Sequence, residues 1–197
     1  MNQTKLALLG GQPCALKSLE EISMKIVPEK AYKTIEDMLD KGDISFSPLT
    51  GEFEKRFAKY IGVDYAVAVC NGTTSIQAAL FAVGIKPEDE VIVPSFTYWA
   101  SAGPILTLGA IPRFADVDEK THTISAESIE KFITPKTKAI VVVHVWGNPC
   151  DMDAIMAVAR KHSLKVIEDC SHAHGATYKG KMVGSIGDVG CFSMQAS

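Results

Sequence analysis

Apolar and polar positions along this chain follow two rhythms. Short, largely apolar runs recur at residues 65–70, 90–93, 112–116, 139–144, 164–168 and 189–193. Runs of this length without regular alternation are expected of strands buried on both faces of a sheet. Between them lie stretches of helical period at residues 29–39, 52–60, 73–83, 98–108, 126–132 and 151–162. Pro28 opens the first and Gly42 follows it; Gly62, Gly84 and Gly109 close the next three, as stop signals do. Phe53, Phe57 and Tyr60 share one face of the second, and Ile155, Val158 and Ala159 point inward from the last. Residues 177–184 suit a hairpin. Strand–helix alternation at this spacing means βαβ units. The expected fold is α/β, a three-layer sandwich of helices around a mostly parallel sheet. No internal repeat, low-complexity tract or interdomain linker interrupts it.

Composition narrows the function more than the fold. The 197 residues suit one domain with a sizeable core, and 47% hydrophobic residues exclude disorder. A net charge of −3 argues against nucleic-acid and membrane-surface partners, which call for a basic excess. The apolar stretch near the N-terminus is too short for a signal peptide or a membrane span, so a cytoplasmic protein is expected. Five widely spaced cysteines, with no CxxC pair, are expected to be reduced and mostly buried.

In open α/β sheets ligands gather beyond the carboxyl ends of the strands, so those ends carry the candidate chemistry. The 65–70 run ends in Asn71-Gly72-Thr73-Thr74-Ser75, where a helix begins. Free N–H groups and hydroxyls there suit an anion such as a phosphate, or equally a helix cap with no ligand. The 90–93 run leads into Pro94-Ser95-Phe96-Thr97-Tyr98-Trp99, whose aromatics offer a stacking platform for a flat ring or ordinary rim packing. The 164–168 run ends in Glu168-Asp169, followed by Cys170-Ser171-His172-Ala173-His174-Gly175. A carboxylate at a buried strand end needs a cation or donors. Asp169 could pair with a protonated cofactor ring, Cys170, His172 and His174 could hold a metal, or the cluster could be structural. No second ligand set with recognised spacing supports the metal. Gly184-Ser185-Ile186-Gly187-Asp188-Val189-Gly190 has glycines like a dinucleotide loop, but it leads into a strand rather than a helix.

Five motifs in register then point to a family. Asn71-Gly72-Thr73-Thr74, Val93-Pro94-Ser95-Phe96-Thr97-Tyr98, Val166-Ile167-Glu168-Asp169, Ala173-His174-Gly175-Ala176 and Gly187-Asp188-Val189-Gly190-Cys191-Phe192-Ser193 resemble the DegT/StrS sugar aminotransferases. Ile85-Lys86-Pro87-Glu88-Asp89-Glu90, Phe114-Ala115-Asp116-Val117-Asp118 and His144-Val145-Trp146-Gly147 fit between them, so the likeness runs from about Gly42 to Ser197. The resemblance implies the large domain of a fold-type-I, aspartate aminotransferase-like enzyme using pyridoxal 5'-phosphate. It implies that Gly72 and Thr73, with Thr74, hold the cofactor phosphate, and that Ser193 adds a hydroxyl. Tyr98 would cover the pyridine face and Asp169 would pair with the pyridinium nitrogen. His172 stands where many relatives carry Gln, within reach of the ring hydroxyl; the implied contact is kept. That variant, Cys170 and the opening Leu6-Ala7-Leu8-Leu9-Gly10-Gly11-Gln12-Pro13 lean toward members acting on keto-cyclitols.

The implied reaction moves an amino group from glutamate or glutamine to a keto-sugar or keto-cyclitol, in a homodimer with shared active sites. The implied organisation is an N-terminal arm and first helix (1–45) and a large cofactor domain (46–197), incomplete at its C-terminal end and without the family's small domain. The register puts the lysine that bonds the cofactor immediately after Ser197. The chain is therefore expected to be a fragment or, preferably, to be interrupted there by a lysine carrying the cofactor. Lys165, Lys179 and Lys181 are poorly placed to replace it. Three alternatives stay open: a sugar dehydratase of the same fold with histidine in the lysine's place, a non-catalytic regulatory protein binding cofactor or sugar, and a metal-dependent hydrolase using His172 and His174.

Overall fold

A computed structural model of the chain describes residues 29–43, 45 and 47–195. Residues 6–13, Cys14, Pro28 and Ser197, which figure in the expectations above, lie outside the described residues. The chain divides into two compact units between Pro48 and Leu49. In the first, α1 (Glu29–Lys41) is amphipathic, with an acidic residue in its first turn and a basic one in its last, as its dipole favours.

The second unit carries α2 (Pro48–Ile61), α3 (Gly72–Ala82), β1 (Glu90–Pro94), α4 (Gly103–Thr107), β2 (Ile111–Ala115), α5 (Ala126–Phe132), β3 (Thr137–Val143), α6 (Met152–His162), β4 (Lys165–Asp169), the hairpin β5 (Thr177–Tyr178) and β6 (Lys181–Met182), and β7 (Val189–Cys191). The main sheet has the order β2-β1-β3-β4-β7, and all four pairings are parallel. Each face has its own core. Val91, Val93, Val141 and Ile167 pack against Ile76, Leu80 and Ile105 of α3 and α4. Ile92, Ile140, Val142 and Val166 pack on the other face against Ile129, Met152 and Ile155 of α5 and α6. Neighbouring strand residues point to opposite faces, and both faces are covered, so the strands had to be apolar throughout. The three layers expected of the sequence are present.

Two elements differ from expectation. Residues 65–69 form no strand, although their apolar run matches the others; no described strand pairs with them, and Tyr65 and Val67 are 87% and 79% exposed. A strand exists only where a neighbour takes its backbone hydrogen bonds. Residues 98–108 form a 3-10 turn (Trp99–Ser101) and then the short α4, rather than one helix. Pro104 is the reason. It has no N–H to give to residue 100, its ring disfavours a continuous helix before it, and it sits comfortably in the first turn of a new one.

The chain leaves β1 through α4 toward β2, and returns through α5 to β3 on the opposite side of β1. The order therefore reverses between β1 and β3, which opens a crevice at their carboxyl ends.

Candidate active site

A cleft of about 1250 Å³ opens at this end of the sheet, and Gly72, Thr73, Tyr98, Asp169, His172 and Ser193 all line it. The start of α3 and the segments after β1, β4 and β7 thus meet along one cleft, although Gly72 and Ser193 lie more than a hundred positions apart. Thr74 is the exception among the sequence-predicted residues. Its N–H donates to Asn71 Oδ1 at 2.8 Å and its hydroxyl accepts from the Cys70 thiol at 3.3 Å, so both are engaged in capping α3. The N–H groups of Gly72 and Thr73 belong to the first helical turn, where no intrahelical acceptor exists. Gly72 also lies hard against Ser193: a Cβ on Gly72 would sit 2.8 Å from the Ser193 Cβ. The absence of a side chain lets the helix start and the Ser193 hydroxyl converge, which makes a cradle of small donors suited to a phosphate.

Asp169 ends β4 with only 5% exposure. Its Oδ2 accepts the Ser101 hydroxyl at 2.7 Å and its Oδ1 accepts the Ser171 N–H at 3.1 Å. Because Ser101 gives its proton to Asp169, the 2.8 Å contact between the Thr97 and Ser101 hydroxyls has Thr97 as donor. Among the described residues no Lys, Arg or His forms an ion pair with Asp169. The carboxylate is thus oriented by neutral donors, and its remaining lone pairs face the cleft without a cation. A protonated heterocyclic nitrogen fits that gap. Tyr98 stands exposed on the same cleft, its ring 5.8 Å from that of Trp99. Neither Ser101 nor Thr97 was predicted as a site residue: Ser101 reaches Asp169 from the 3-10 turn that stands in place of the expected helix, and Thr97 lies just before it.

Beside Asp169, Glu168 points away from the cleft and is fully buried. Its Oε1 accepts the N–H groups of Ile186 and Gly187, each at 2.7 Å, and its Oε2 accepts that of Gly184 at 2.9 Å. The glycine-rich loop therefore spends its donors on a protein carboxylate, not on a dinucleotide. His144 completes the set, with Nε2 3.1 Å from Glu168 Oε2. Its Nδ1 accepts the Cys150 N–H at 3.0 Å, which requires the neutral tautomer protonated at Nε2. Burial works to raise the Glu168 pKa, but the hydrogen bonds from His144 and the three N–H groups outweigh it and hold the carboxyl below its usual range.

Among the described residues, His144, Glu168 and Cys170 are the group close enough to hold a metal, within 4.8 Å of one another. Glu168 and His144 already spend their polar atoms on each other and on backbone, so the group is structural. The set weighed from the sequence is not assembled: Cys170 is buried, whereas His172 and His174 are exposed and His174 packs on the Phe192 ring at 5.5 Å. Burial pushes the Cys150 and Cys191 thiols up to about 12 and that of Cys170 higher still, so they are inert at neutral pH, while Cys70 is exposed.

Comparison with known proteins identifies the family. The model of the DegT/DnrJ/EryC1/StrS aminotransferase family matches residues 25–197. The chain belongs to that family. Among family relatives, the GDP-perosamine synthase of Caulobacter vibrioides is 55% identical over 142 residues, covering 72% of this chain and 38% of that protein. The L-glutamine:2-deoxy-scyllo-inosose aminotransferase of Streptomyces lividus is 43% identical over 174 residues, covering 85% of this chain and 41% of that protein. The solved aminotransferase from Psychrobacter cryohalolentis superposes with a TM-score of 0.82 at 45% identity, over 85% of this chain and 43% of that one. The chain spans about two fifths of the length of these relatives.

Proposed function

We propose that this chain is the cofactor-binding part of a pyridoxal-phosphate-dependent aminotransferase that moves an amino group from glutamate or glutamine to a keto-sugar or keto-cyclitol. The observation that carries the proposal is Asp169, a nearly buried carboxylate held by Ser101 and Ser171 and facing a large cleft without a cation. A bound pyridinium would supply that cation. Bound pyridoxal phosphate supplies an electron sink for the negative charge left when an amino acid loses its Cα proton.

The residues divide the remaining work. Asp169 accepts the pyridinium N–H and keeps that nitrogen protonated, the state in which the ring takes up charge best. Gly72 and Thr73 donate backbone N–H groups to the phosphate, and Ser193 donates its hydroxyl. Thr74 contributes by holding the helix start through its cap rather than by its own N–H. Tyr98 would lie against one face of the ring, and His172 would donate to the ring hydroxyl. Family membership supports a cytoplasmic homodimer with residues 46–197 as its large domain, and no described helix is long and apolar enough to cross a membrane.

Spectroscopy tests the reading. In the full-length protein loaded with pyridoxal phosphate, L-glutamate or L-glutamine should bleach the cofactor's visible band, and a keto-cyclitol should restore it. A band that neither donor changes would refute amino transfer. Release of a deoxy product without amine incorporation would instead identify a dehydratase.

A further inference from the structure

Phe96 and Trp146 have no part in holding the cofactor, yet they occupy the crevice where the strand order reverses. Phe96 follows β1 and Trp146 follows β3, and both line the Asp169 cleft. Their rings meet edge to face with centroids 5.6 Å apart. His122 backs the pair from outside the cleft, 5.8 Å from Phe96 and 5.7 Å from Trp146.

The backbone at Trp146 adds a second observation. Its φ of 52° and ψ of 26° are left-handed, a conformation unfavourable for a bulky residue, and Gly147 follows at φ 81°. The turn is enforced by Gly147 N–H to the His144 carbonyl at 3.2 Å, Asn148 N–H to the Val145 carbonyl at 2.9 Å and Asn148 Nδ2 to the Thr121 carbonyl at 3.0 Å. Such strain is commonly offset by burying the side chain, but the indole is 68% exposed. The turn presents an apolar surface to the cleft without burying it, the arrangement expected when a ligand covers it.

We propose that Trp146 and Phe96 form the subsite for the ring of the amino acceptor, resting on the aminotransferase reading above. A pyranose or cyclitol carries hydroxyls around its rim and C–H bonds on its faces. Two rings at 72° form a corner that takes one such face against the indole and an edge against Phe96. The cleft runs without interruption from Asp169 to this corner. The Phe96 ring offers a carboxylate no hydrogen-bond donor and the indole only its single N–H, so this pair favours a ring face over the amino-acid donor.

The test is calorimetric titration of the full-length protein loaded with pyridoxal phosphate with 2-deoxy-scyllo-inosose, GDP and glutarate, which carries the donor's carboxylates but no amine to react, in wild type, Trp146→Gly and Trp146→Phe. Glycine removes the indole and relieves the left-handed backbone. Trp146→Gly should therefore keep or raise the melting temperature while weakening cyclitol binding by about tenfold, the scale of one lost aromatic contact. Trp146→Phe should retain most of the affinity, and glutarate binding should not change. Unchanged cyclitol affinity in Trp146→Gly would overturn the proposal. So would a melting temperature that falls in step with affinity, because that marks a structural tryptophan. Weakened GDP binding with intact cyclitol binding would overturn it in favour of a base-stacking site. Trp146-dependent cyclitol binding in a protein that transfers no amine would refute the function and leave the subsite standing.

Discussion

Glu168→Gln is an isosteric change in a fully buried group, and its cost can be worked from four hydrogen bonds. The wild-type carboxylate faces donors only: Ile186 and Gly187 N–H on Oε1, and Gly184 N–H and His144 Nε2 on Oε2. A glutamine must aim its NH₂ at one of these donor pairs. His144 cannot relieve the conflict by moving its proton to Nδ1, which accepts the Cys150 N–H. Two charge-assisted bonds are lost, worth roughly 1.5–3 kcal/mol each, or about 3–6 kcal/mol together. Relief from burying a charge, a cost of several kcal/mol, offsets part of this. The expected net loss is about 1–3 kcal/mol, a drop of roughly 2–12 °C in melting temperature for a domain of this size. Equilibrium denaturation at neutral pH reads it directly. The sign with pH follows from the depressed pKa of Glu168. Its stabilisation is full above the ordinary carboxyl value of 4.5 and is lost as pH falls through the lower folded value. The gap between wild type and Glu168→Gln should therefore narrow in acid. A loss below about 0.5 kcal/mol at neutral pH, the range of ordinary surface substitutions, would refute the assigned network.

Two further substitutions separate the two ends of the cofactor site. Ser101→Ala removes the hydroxyl that orients Asp169 Oδ2 and should weaken pyridoxal phosphate retention by about tenfold, from a charge-assisted bond worth roughly 1.5–3 kcal/mol; equilibrium dialysis with unchanged affinity would contradict it. Gly72→Ala drives a methyl to 2.8 Å from the Ser193 Cβ and should spread the phosphate cradle. Inorganic phosphate should then compete with the cofactor less well than in wild type, and equal competition would remove Gly72 and Ser193 from the phosphate site.

The parts of the fold legible in the sequence were those decided by local pattern. The β1, β3 and β4 runs are apolar because helices cover both faces, and that cause is visible in one dimension. Residues 65–70 carry the same pattern, but a strand also needs a partner, which no local run reveals. The helix expected over 98–108 is broken at Pro104, and Ser101, in the 3-10 turn before it, donates to Asp169. Asp169 stood out because a carboxylate at a buried strand end needs a partner, whereas Ser193 carries no such local signal and its role is implied by the family resemblance alone. The bond between Glu168 and His144 spans twenty-four positions, and the Phe96–Trp146 corner joins two loops, so neither leaves a local signature.

The central claim is that Asp169 supports amino transfer to a ring ketone. It is tested most directly by incubating full-length, cofactor-loaded wild type and Asp169→Ala with heavy-nitrogen-labelled L-glutamine and 2-deoxy-scyllo-inosose, then weighing the cyclitol by mass spectrometry. Labelled aminocyclitol from wild type and none from Asp169→Ala is the predicted result. Equal labelling from both proteins would contradict the account.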